Sequence, residues 1–555
     1  MKQPIILGIN RTQDASITLF EGKKHCFSIQ KERLTRQRHH WGKLGDIPLY
    51  LSHFESLRQP IDCIVEGYSC DKEIANISQY HQELRENLIL HEHTKIIQIS
   101  HHLSHAYSAY YPSGYEQAAV MILDSVGSQA KNFTEEFNHG IGNNNAFFEV
   151  ASFYHMEGDT VHCLHKQLWD GNKKEPRGLG QFYFLLTQCI FPGEGKEGKV
   201  MGLSQWGDAN ALKLPPLEVY QGDVYIPPEW QTIFNNSEKY CFYRDGVGYF
   251  HDCANLAAAG QKAFEDALLE LTRWLASQAN TTNLCYAGGT ALNCSANGKL
   301  LKYAPFKNIF IPPAPHDGGT SLGCALYGLM NHYAKPSFDW KSDYLGPNKP
   351  IIFPKMLSPD RDVILEKPDD IYETVTNGLL EGEIMALFLE NSEFGPRALG
   401  HRSIIADPRF RVTTDWINQH IKKREWFRPI APFVLEEDLE TVFDVNRLLP
   451  HMLYAVPMKS QFKQKLSAGV HIDGTARVQS VSADINPFLT KLLKCYKEKI
   501  GVGVLLNTSF NRQGEPIIET FEEALDCFLN TPLHALLVPP YIIRKKNLPP
   551  NPLRT

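Results

Sequence analysis

The sequence predicts an α/β protein with mixed sheets and more than one domain. At 555 residues the chain is too long for a single hydrophobic core, so two or three domains are expected. Short apolar runs that end at Gly, Asp or Pro, such as residues 5–9 and 118–123, are typical of buried strands. Residues 254–279 instead repeat apolar side chains at helical spacing. Strand and helix signals in both halves of the chain indicate the α/β class.

The other predicted elements follow the same pattern, and no internal repeat is apparent from the sequence. Further predicted strands lie at 284–287, 309–311, 384–389 and 503–506, and a further helix at 521–529. A connector rich in turn-forming residues spans 335–361. We therefore expect a first domain at 1–345, a second at 355–545 and a proline-rich tail at 546–555.

The composition is that of a globular protein and disfavours several function classes. Hydrophobic residues make up 43% and charged residues 21% of the chain. A net charge of −6 disfavours a protein that binds nucleic-acid backbones. The first residues do not resemble a signal peptide, and no stretch approaches the roughly 20 apolar residues of a membrane span. Because the twelve cysteines form no Cys-x-x-Cys pair, we expect buried thiols and a cytoplasmic location.

A histidine pair is the first candidate functional motif. On a helix, His101 and His105 would share one face at a separation of about 6 Å, which suits two ligands of one metal ion. Surface or capping histidines are the alternative. Asp124 follows a predicted strand and precedes a turn with glycine, a position typical of metal or phosphate contacts, although a turn-capping aspartate has the same pattern.

Glycine-rich turns form the second candidate motif. Gly288 and Gly289 stand between a predicted strand and a helix, where the missing side chains let a ligand approach the backbone. Many strand-to-helix turns share this pattern. Asp317 and the two glycines after it would complete a metal and phosphate site, whereas His316 is expected to be structural.

A basic segment is the third candidate motif. Eight Lys and Arg residues lie between positions 397 and 428 of this acidic chain, which indicates an anion pocket, with a solvated basic face as the alternative. Ser509 follows a predicted strand and would hold a phosphate through its hydroxyl. It is not expected to be a nucleophile, because no Gly-x-Ser-x-Gly sequence surrounds it.

Together these motifs resemble the NodU/CmcH/TobZ family of carbamoyltransferases over nearly the whole chain. Three strings carry the resemblance most specifically: Glu-Phe-Gly-Pro-Arg-Ala-Leu-Gly at 393–400, Asp-Gly-Thr-Ala-Arg-Val-Gln at 473–479 and Leu-Leu-Asn-Thr-Ser-Phe-Asn at 505–511. The string Lys-Val-Met-Gly-Leu at 199–203 and the Gly288 segment match the first half.

The resemblance implies a first domain of the actin/Hsp70-like (ASKHA) ATPase fold, similar to TsaD enzymes, and a second, YrdC-like α/β domain. The second domain would cleave carbamoyl phosphate and join the carbamate to AMP from ATP, with Mg, releasing pyrophosphate. The first domain would pass the carbamoyl group from carbamoyl adenylate to an acceptor.

The resemblance also assigns residues to these roles. The metal, usually iron, would be bound by His101, His105, Asp124 and Asp317. Nucleotide in the first domain would contact Ser125, Gly127, Gly202, Gly288, Gly289 and Asn293. Carbamoyl phosphate and ATP in the second domain would contact Arg397, Lys422, Arg428, Arg477, Asn507 and Ser509.

The sequence departs from this family where the acceptor is expected to bind. Gln13 stands where members carry a histidine, just before Asp14, and Arg38 precedes His39 where members carry Lys-His. Gln13, Asp14 and Arg38 are therefore the acceptor-side candidates, with Asp14 and His39 the nearest candidates for a general base.

The resulting prediction is an O-carbamoyltransferase that modifies a small biosynthetic acceptor, a sugar or a secondary metabolite. Its partners would be the acceptor, ATP and carbamoyl phosphate, with neither nucleic acid nor membrane, and homodimer formation is left open. The alternatives are N-carbamoylation of an amine, a tRNA-modifying enzyme, and a non-catalytic nucleotide sensor.

Overall fold

A computed structural model of the chain describes residues 3–68, 77–137, 146–243, 249–332, 342–347, 363–547 and 549–553. The chain divides into two compact units, residues 1–35 with 39–340, and residues 36–38 with 341–555. The predicted connector at 335–361 lies outside the described residues apart from 342–347.

The first unit contains two five-stranded sheets and a small hairpin formed by β9 and β10. Its strands are β1 (Ile5–Asn10), β2 (Ser16–Glu21), β3 (Lys24–Gln30), β4 (Ile61–Tyr68), β5 (Leu90–Ser100), β6 (Gln117–Leu123), β7 (Phe148–Glu157), β8 (Thr160–Trp169), β9 (Glu218–Tyr220), β10 (Asp223–Tyr225), β11 (Asn283–Ala287) and β12 (Asn308–Phe310). The sheet orders are β3-β2-β1-β4-β5 and β8-β7-β6-β11-β12.

The two sheets of the first unit repeat one topology. In each sheet, the first three strands form an antiparallel meander. In the first sheet β1 pairs with β2 and β2 with β3, and in the second sheet β6 pairs with β7 and β7 with β8. Two later strands then extend each sheet in parallel on the other side of its first strand. These are β4 and β5 beside β1 in the first sheet, and β11 and β12 beside β6 in the second. The unit is thus a structural duplication, the arrangement of the actin/Hsp70-like fold, although the sequence shows no repeat.

Helices connect and cover these sheets. They are α1 (Lys31–Thr35), α2 (Asp46–His53), α3 (Ile77–Asn87), α4 (His101–Tyr110), α5 (Leu179–Ile190), α6 (Glu197–Ser204), α7 (Pro228–Asn235), α8 (Phe250–Gln278), α9 (Cys294–Tyr303) and α10 (Thr320–His332). Helices α4 and α10, which follow β5 and β12, pack against each other. At their crossing, a Cβ added to Gly323 would lie 1.8 Å from the carbonyl oxygen of Ser104, so only glycine permits this approach.

The second unit is built on one mixed eight-stranded sheet of order β13-β22-β21-β14-β15-β20-β16-β19, beside the pair β17 and β18. Its strands are β13 (Val363–Glu366), β14 (Met385–Leu387), β15 (Ser403–Ala406), β16 (Ala431–Leu435), β17 (Ala455–Pro457), β18 (Thr475–Arg477), β19 (Gln479–Val481), β20 (Val504–Ser509), β21 (Ala535–Val538) and β22 (Tyr541–Lys545). Its helices are α11 (Ile371–Leu380), α12 (Arg411–Trp416), α13 (Leu439–Val442), α14 (Ser460–Lys463), α15 (Pro487–Ile500) and α16 (Phe521–Leu529).

Alternating strand residues supply two cores on opposite faces of this sheet. Ala386 and Leu506 belong to the core that includes side chains of α16. Their neighbours Met385 and Leu505 belong to the core that includes side chains of α11 and α15. A sheet that is covered on both faces explains why its strands are apolar at consecutive positions.

The elements predicted from the sequence are confirmed, with ends that shift by a few residues. The helix predicted at 254–279 spans Phe250–Gln278, and the helix at 521–529 spans Phe521–Leu529. In the predicted tail, the side-chain amide of Asn551 donates to the carbonyl of Glu381, 2.8 Å away. Among the described residues, no helix combines the length and apolar character needed to cross a membrane.

Candidate functional site

The four predicted metal ligands come together in the first unit. His101 and His105 lie on the first turns of α4, Asp124 directly follows β6, and Asp317 precedes α10. The two Nε2 atoms are 3.2 Å apart, and Asp317 Oδ1 lies 3.3 Å from Nε2 of His101. Asp124 Oδ2 lies 3.4 Å from Nε2 of His105. One ligand atom from each residue lies within 4.8 Å of all the others.

The charges of this cluster favour a bound cation. Burial opposes protonation of His101, but the carboxylates of Asp317 and Asp124 outweigh it and hold the pKa of His101 well above its usual range. Burial likewise opposes ionisation of Asp317, but the two histidines outweigh it and lower its pKa. Asp124 Oδ2 is buried and accepts no hydrogen bond from the part of the chain that the structure describes. Two imidazoles and two carboxylates thus fit a divalent metal such as iron.

The loop that contains the acceptor-side candidates Gln13 and Asp14 is tied to the same cluster. The side-chain amide of Asn10 donates to the carbonyls of Gln13 (3.0 Å) and Asp317 (2.9 Å). The Thr12 hydroxyl donates to Asp317 Oδ2 at 3.1 Å. Asp14 is buried, whereas Gln13 is half-buried. This loop is therefore fixed relative to Asp317 by side-chain hydrogen bonds.

Asp14 and His39 form a hydrogen-bonded pair beside this loop. His39 Nδ1 lies 2.9 Å from Asp14 Oδ1, and the His39 backbone N–H donates to Glu32 Oε2 at 3.0 Å. Both residues have a positive φ of 53°, a backbone conformation that is uncommon outside glycine and is enriched at functional sites. A histidine oriented by a carboxylate in this way can accept a proton at its other nitrogen.

Three of the residues predicted to contact nucleotide in the first unit adjoin Asp124. The Ser125 backbone N–H donates to Asp124 Oδ1 at 2.7 Å. A Cβ on Gly289 would lie 3.3 Å from the same oxygen, and one on Gly288 would lie 2.2 Å from the carbonyl of Leu123. Gly288 has φ +94°, so both space and conformation require glycine there.

The other three residues predicted to contact nucleotide are engaged in packing or in hydrogen bonds within the protein. Gly127 packs against Glu149, and Gly202 is buried in α6. The side chain of Asn293 caps α9 and exchanges two hydrogen bonds of 3.0 Å with Gln261. Their contact with a nucleotide stays a prediction.

In the second unit, Lys422 lies at the centre of a polar cluster near the end of β20. It directly follows a π-helical turn, Ile417–Ile421. Its ammonium donates to the hydroxyl of Ser509 at 3.2 Å and to Asn511 Oδ1 at 2.5 Å. Asn507 is buried on the same strand and donates to the carbonyl of Ala398 at 2.8 Å. Its Oδ1 accepts no hydrogen bond from any described residue.

The basic side chains around Lys422 repel one another electrostatically, and burial together with this repulsion lowers their pKa values. Burial, reinforced by Arg424 and Arg428, holds the pKa of Lys422 well below its usual range. The pKa of Arg424 is lowered by burial and by Arg428 and Arg477. The pKa of Arg428 is lowered by burial, despite Glu425 nearby. An anion bound among these groups would relieve the repulsion between them.

Two family models match the chain, Carbamoyltransferase N-terminus over residues 64–326 and Carbamoyltransferase C-terminus over residues 376–545. Nodulation protein NolNO of Sinorhizobium fredii (strain NBRC 101917 / NGR234) is 31% identical, in an alignment that covers 97% of this chain and 80% of that protein. The chain belongs to the carbamoyltransferase family. Nodulation protein NolO of Bradyrhizobium diazoefficiens is 32% identical over 81% of this chain and 79% of its own. The 3'-hydroxymethylcephem-O-carbamoyltransferase of Amycolatopsis lactamdurans is 31% identical over 68% of this chain and 70% of its own.

Arg38 of this carbamoyltransferase belongs to the second unit, within the segment Arg36–Arg38. Arg36 holds the segment there by donating to the carbonyls of Ile517 (2.8 Å) and Pro516 (2.9 Å). Arg38 is exposed, and its charge contributes to the lowered pKa of Lys422. Its predicted acceptor-side role stays a prediction, while its position adds a cation to the group around Lys422.

Two residues near the candidate sites were not predicted individually from the sequence: Arg424, close to Lys422, and the buried Lys166, near the start of α4. Arg424 is one of the eight basic residues between positions 397 and 428, so membership of that segment was the signal that could have identified it. Lys166 lies on β8, which has exposed and half-buried positions, and no local pattern separates it from a surface lysine. For Arg397, which is half-buried, the predicted contact with carbamoyl phosphate also stays a prediction.

Proposed function

We propose that this carbamoyltransferase makes carbamoyl adenylate from carbamoyl phosphate and ATP, and transfers the carbamoyl group to a hydroxyl group of a small acceptor. The observation that carries the proposal is the cluster of basic side chains near the end of β20, where Lys422 donates to Ser509 and Asn511 and is close enough to Arg424 and Arg428 to interact with their charges. Carbamoyl phosphate and ATP are both strongly anionic, so joining them requires several fixed positive charges.

Adenylate formation is assigned to the second unit. Carbamoyl phosphate is hydrolysed there to carbamate and phosphate, and a carbamate oxygen then attacks the α-phosphorus of ATP as pyrophosphate leaves. The phosphate groups are bound by Lys422, Arg424, Arg428, Arg477, Arg397 and Arg38. Asn507 and Ser509 add neutral polar contacts at the end of β20.

Carbamoyl transfer is assigned to the first unit. His101, His105, Asp124 and Asp317 would hold a divalent metal ion, with iron as the ion implied by the resemblance. When bound, such an ion supplies positive charge that stabilises the phosphate of the leaving AMP. Ser125, Gly288 and Gly289 adjoin Asp124 and would contact the phosphate through the backbone.

The acceptor would bind beside Asp14 and His39. Its hydroxyl oxygen forms a bond to the carbamoyl carbon, the bond from that carbon to the phosphate oxygen breaks, and AMP leaves. The hydroxyl proton passes to His39, which Asp14 orients through the 2.9 Å contact at Nδ1. Gln13 positions the acceptor, since an amide can donate and accept hydrogen bonds but cannot act as a base. The name of the cephem O-carbamoyltransferase among the relatives supports a hydroxyl acceptor, and we propose a sugar or secondary metabolite.

An amine acceptor is the second candidate, and Gln13 is the observation that favours it. A neutral amine already carries a nucleophilic lone pair, so its attack does not need the histidine that the family has at this position. Transfer to an amine would give a urea rather than a carbamate, and the two products differ in their stability to alkali.

The test is to incubate the purified protein with carbamoyl phosphate and MgATP and to measure pyrophosphate. We expect release that depends on carbamoyl phosphate, and then a mass gain of one carbamoyl group on a member of a metabolite pool. Lack of pyrophosphate release would contradict the adenylate route and favour a nucleotide sensor. Carbamoylation that requires tRNA in the mixture would favour the tRNA-modifying alternative.

A further inference from the structure

A buried charge network lies behind the N-terminus of α4, the helix that carries His101 and His105. At its centre is Lys166 on β8, whose side chain is 0% exposed. Its ammonium lies 2.5 Å from Glu149 Oε2 and 2.7 Å from Glu135 Oε1. Glu149 is 0% exposed as well. None of these three residues has a part in the transfer reaction described above.

The network binds the backbone at the start of α4. Glu149 Oε1 accepts from the backbone N–H groups of His102 (3.0 Å) and Ser128 (3.0 Å). The hydroxyl of Ser128 in turn accepts from the backbone N–H of His101 at 2.9 Å. The first N–H groups of a helix have no acceptor within the helix, so these bonds replace the missing ones.

The charges of the network also match the helix. Burial opposes the charge on Lys166, but Glu135 and Glu149 outweigh it and hold the pKa of Lys166 above its usual range. One ammonium between two carboxylates leaves one negative charge. That charge is placed at the positive end of the α4 dipole, where it is stabilised.

This backbone support matters because the second ring nitrogen of each proposed ligand histidine lacks the usual supporting partner in the part of the chain that the structure describes. Metal-binding histidines usually donate their second ring nitrogen to a carboxylate or carbonyl. Here Nδ1 of His101 and Nδ1 of His105 have no hydrogen-bond partner among the described residues. The position of the imidazoles therefore depends on the position of the helix, together with the contact between the two rings, whose centroids are 4.7 Å apart.

We propose that Lys166, Glu149 and Glu135 are positioning residues of the metal site, which hold α4 through its first backbone N–H groups. The inference rests on the proposed metal site. A buried ion pair is a weak source of stability, since apolar replacements of similar size are often neutral. A stabilising role alone therefore does not account for a network with this connection to the ligand helix.

The test is the affinity of full-length protein for Co²⁺, followed by its visible absorption. Lys166→Met removes the ammonium, and Glu149→Gln keeps the volume of the carboxylate while removing its charge. We expect each variant to bind Co²⁺ about 10–100-fold more weakly than the unmodified protein and to change the ligand-field spectrum. Lys31→Met is the matched control, because Lys31 is also 0% exposed and pairs with a carboxylate, Asp46 on α2, at 2.6 Å.

The outcomes separate this proposal from the metal assignment. If Lys31→Met keeps the affinity and spectrum while both network variants remain folded, bind Co²⁺ about 10–100-fold more weakly and show a changed spectrum, the positioning role is supported. If either network variant is folded and binds Co²⁺ as the unmodified protein does, the role is wrong while the metal site stands. If the unmodified protein binds no Co²⁺, Fe²⁺ or Mn²⁺, the metal assignment fails and the positioning role fails with it.

Discussion

At the scale of single residues, each half of the proposed reaction depends on side chains with distinct tasks. His101 and His105 contribute the two imidazoles of the proposed metal site, and Asp14 with His39 forms the pair proposed to face the acceptor. Because these groups act at different steps, substitutions should affect different partial reactions. This separation gives two predictions at residue scale.

The first prediction concerns His105. His105→Ala removes one of four metal ligands, so we expect loss of the bound metal and of carbamoyl transfer. Pyrophosphate release from ATP and carbamoyl phosphate should remain largely intact, because it is assigned to the other unit. Metal analysis and the two partial reactions measure this. The exposed His91 on β5 gives a control, His91→Ala, and full metal content with full transfer in His105→Ala would refute the assignment.

The second prediction compares Gln13 with His39. Gln13→Ala should slow transfer roughly tenfold, which corresponds to the ~1–1.5 kcal/mol of one neutral hydrogen bond. His39→Ala should slow it by about 10²–10⁴, the usual contribution of a general base. Single-turnover transfer from pre-formed carbamoyl adenylate measures both rates. A loss above about a thousandfold in folded Gln13→Ala would mean that Gln13 does more than position the acceptor.

At the scale of elements, the metal cluster depends on how closely two helices approach. Helix α4 carries two of the proposed ligands, and Asp317 begins the short turn Asp317–Gly319 that leads into α10, so the α4–α10 crossing sets the distance between these side chains. Gly323 permits that crossing, since its Cβ position lies 1.8 Å from a backbone oxygen of α4. Backbone atoms cannot rotate away as a side chain can.

The third prediction follows from this crossing. Gly323→Ala should force α4 and α10 apart, lower the free energy of unfolding by about 1–3 kcal/mol or more, and weaken metal binding. The matched control is Gly198→Ala in α6, where no atom lies within 4 Å of the added Cβ. That change should be neutral or slightly stabilising, as alanine favours helices. Urea unfolding and metal titration measure both variants, and equal stability of the two would contradict the packing argument.

At the scale of the whole molecule, the chain contains two compact units that bring together different sets of side chains. The first unit contains the histidine and aspartate cluster, and the second contains the cations around Lys422. If the second unit only makes carbamoyl adenylate, supplying that compound should make its pocket dispensable.

The fourth prediction tests this division. Arg428→Ala and Arg397→Ala should each lower pyrophosphate release by about 100-fold, since losing a charged contact to a phosphate costs about 3 kcal/mol. Pre-formed carbamoyl adenylate should restore transfer in both variants. Arg411→Ala is the control, because the Arg411 side chain is 41% exposed and pairs with Asp415 on α12 at 3.6 Å. Variants that the adenylate does not rescue would place these arginines in transfer or in folding.

The sequence by itself determined the α/β class, the positions of the predicted strands and helices to within a few residues, the family, and the identity of the four clustered side chains. Apolar periodicity is local, so strands such as β1 and β6 and the long helix α8 could be read directly. The pairing of His101 with His105 is also local, because residues four apart share one face of a helix. Asp124 and Asp317 were candidates from their positions before glycine-containing turns, and the family resemblance joined them to the two histidines in one ligand set, a meeting that no local pattern predicts.

Only the tertiary structure decided how distant segments meet. The two sheets of the first unit share one pattern of strand pairing, and backbone hydrogen bonds define that pattern. The same pairing can form from different side chains, so the duplication is not visible as a sequence repeat. Lys166, Glu149 and the start of α4 come from separate elements, and their charges are satisfied only when folding buries them together. Arg36–Arg38 joins the second unit through hydrogen bonds to the backbone of distant residues. Hydrogen bonds and burial act between neighbours in space, and a single sequence records only neighbours along the chain.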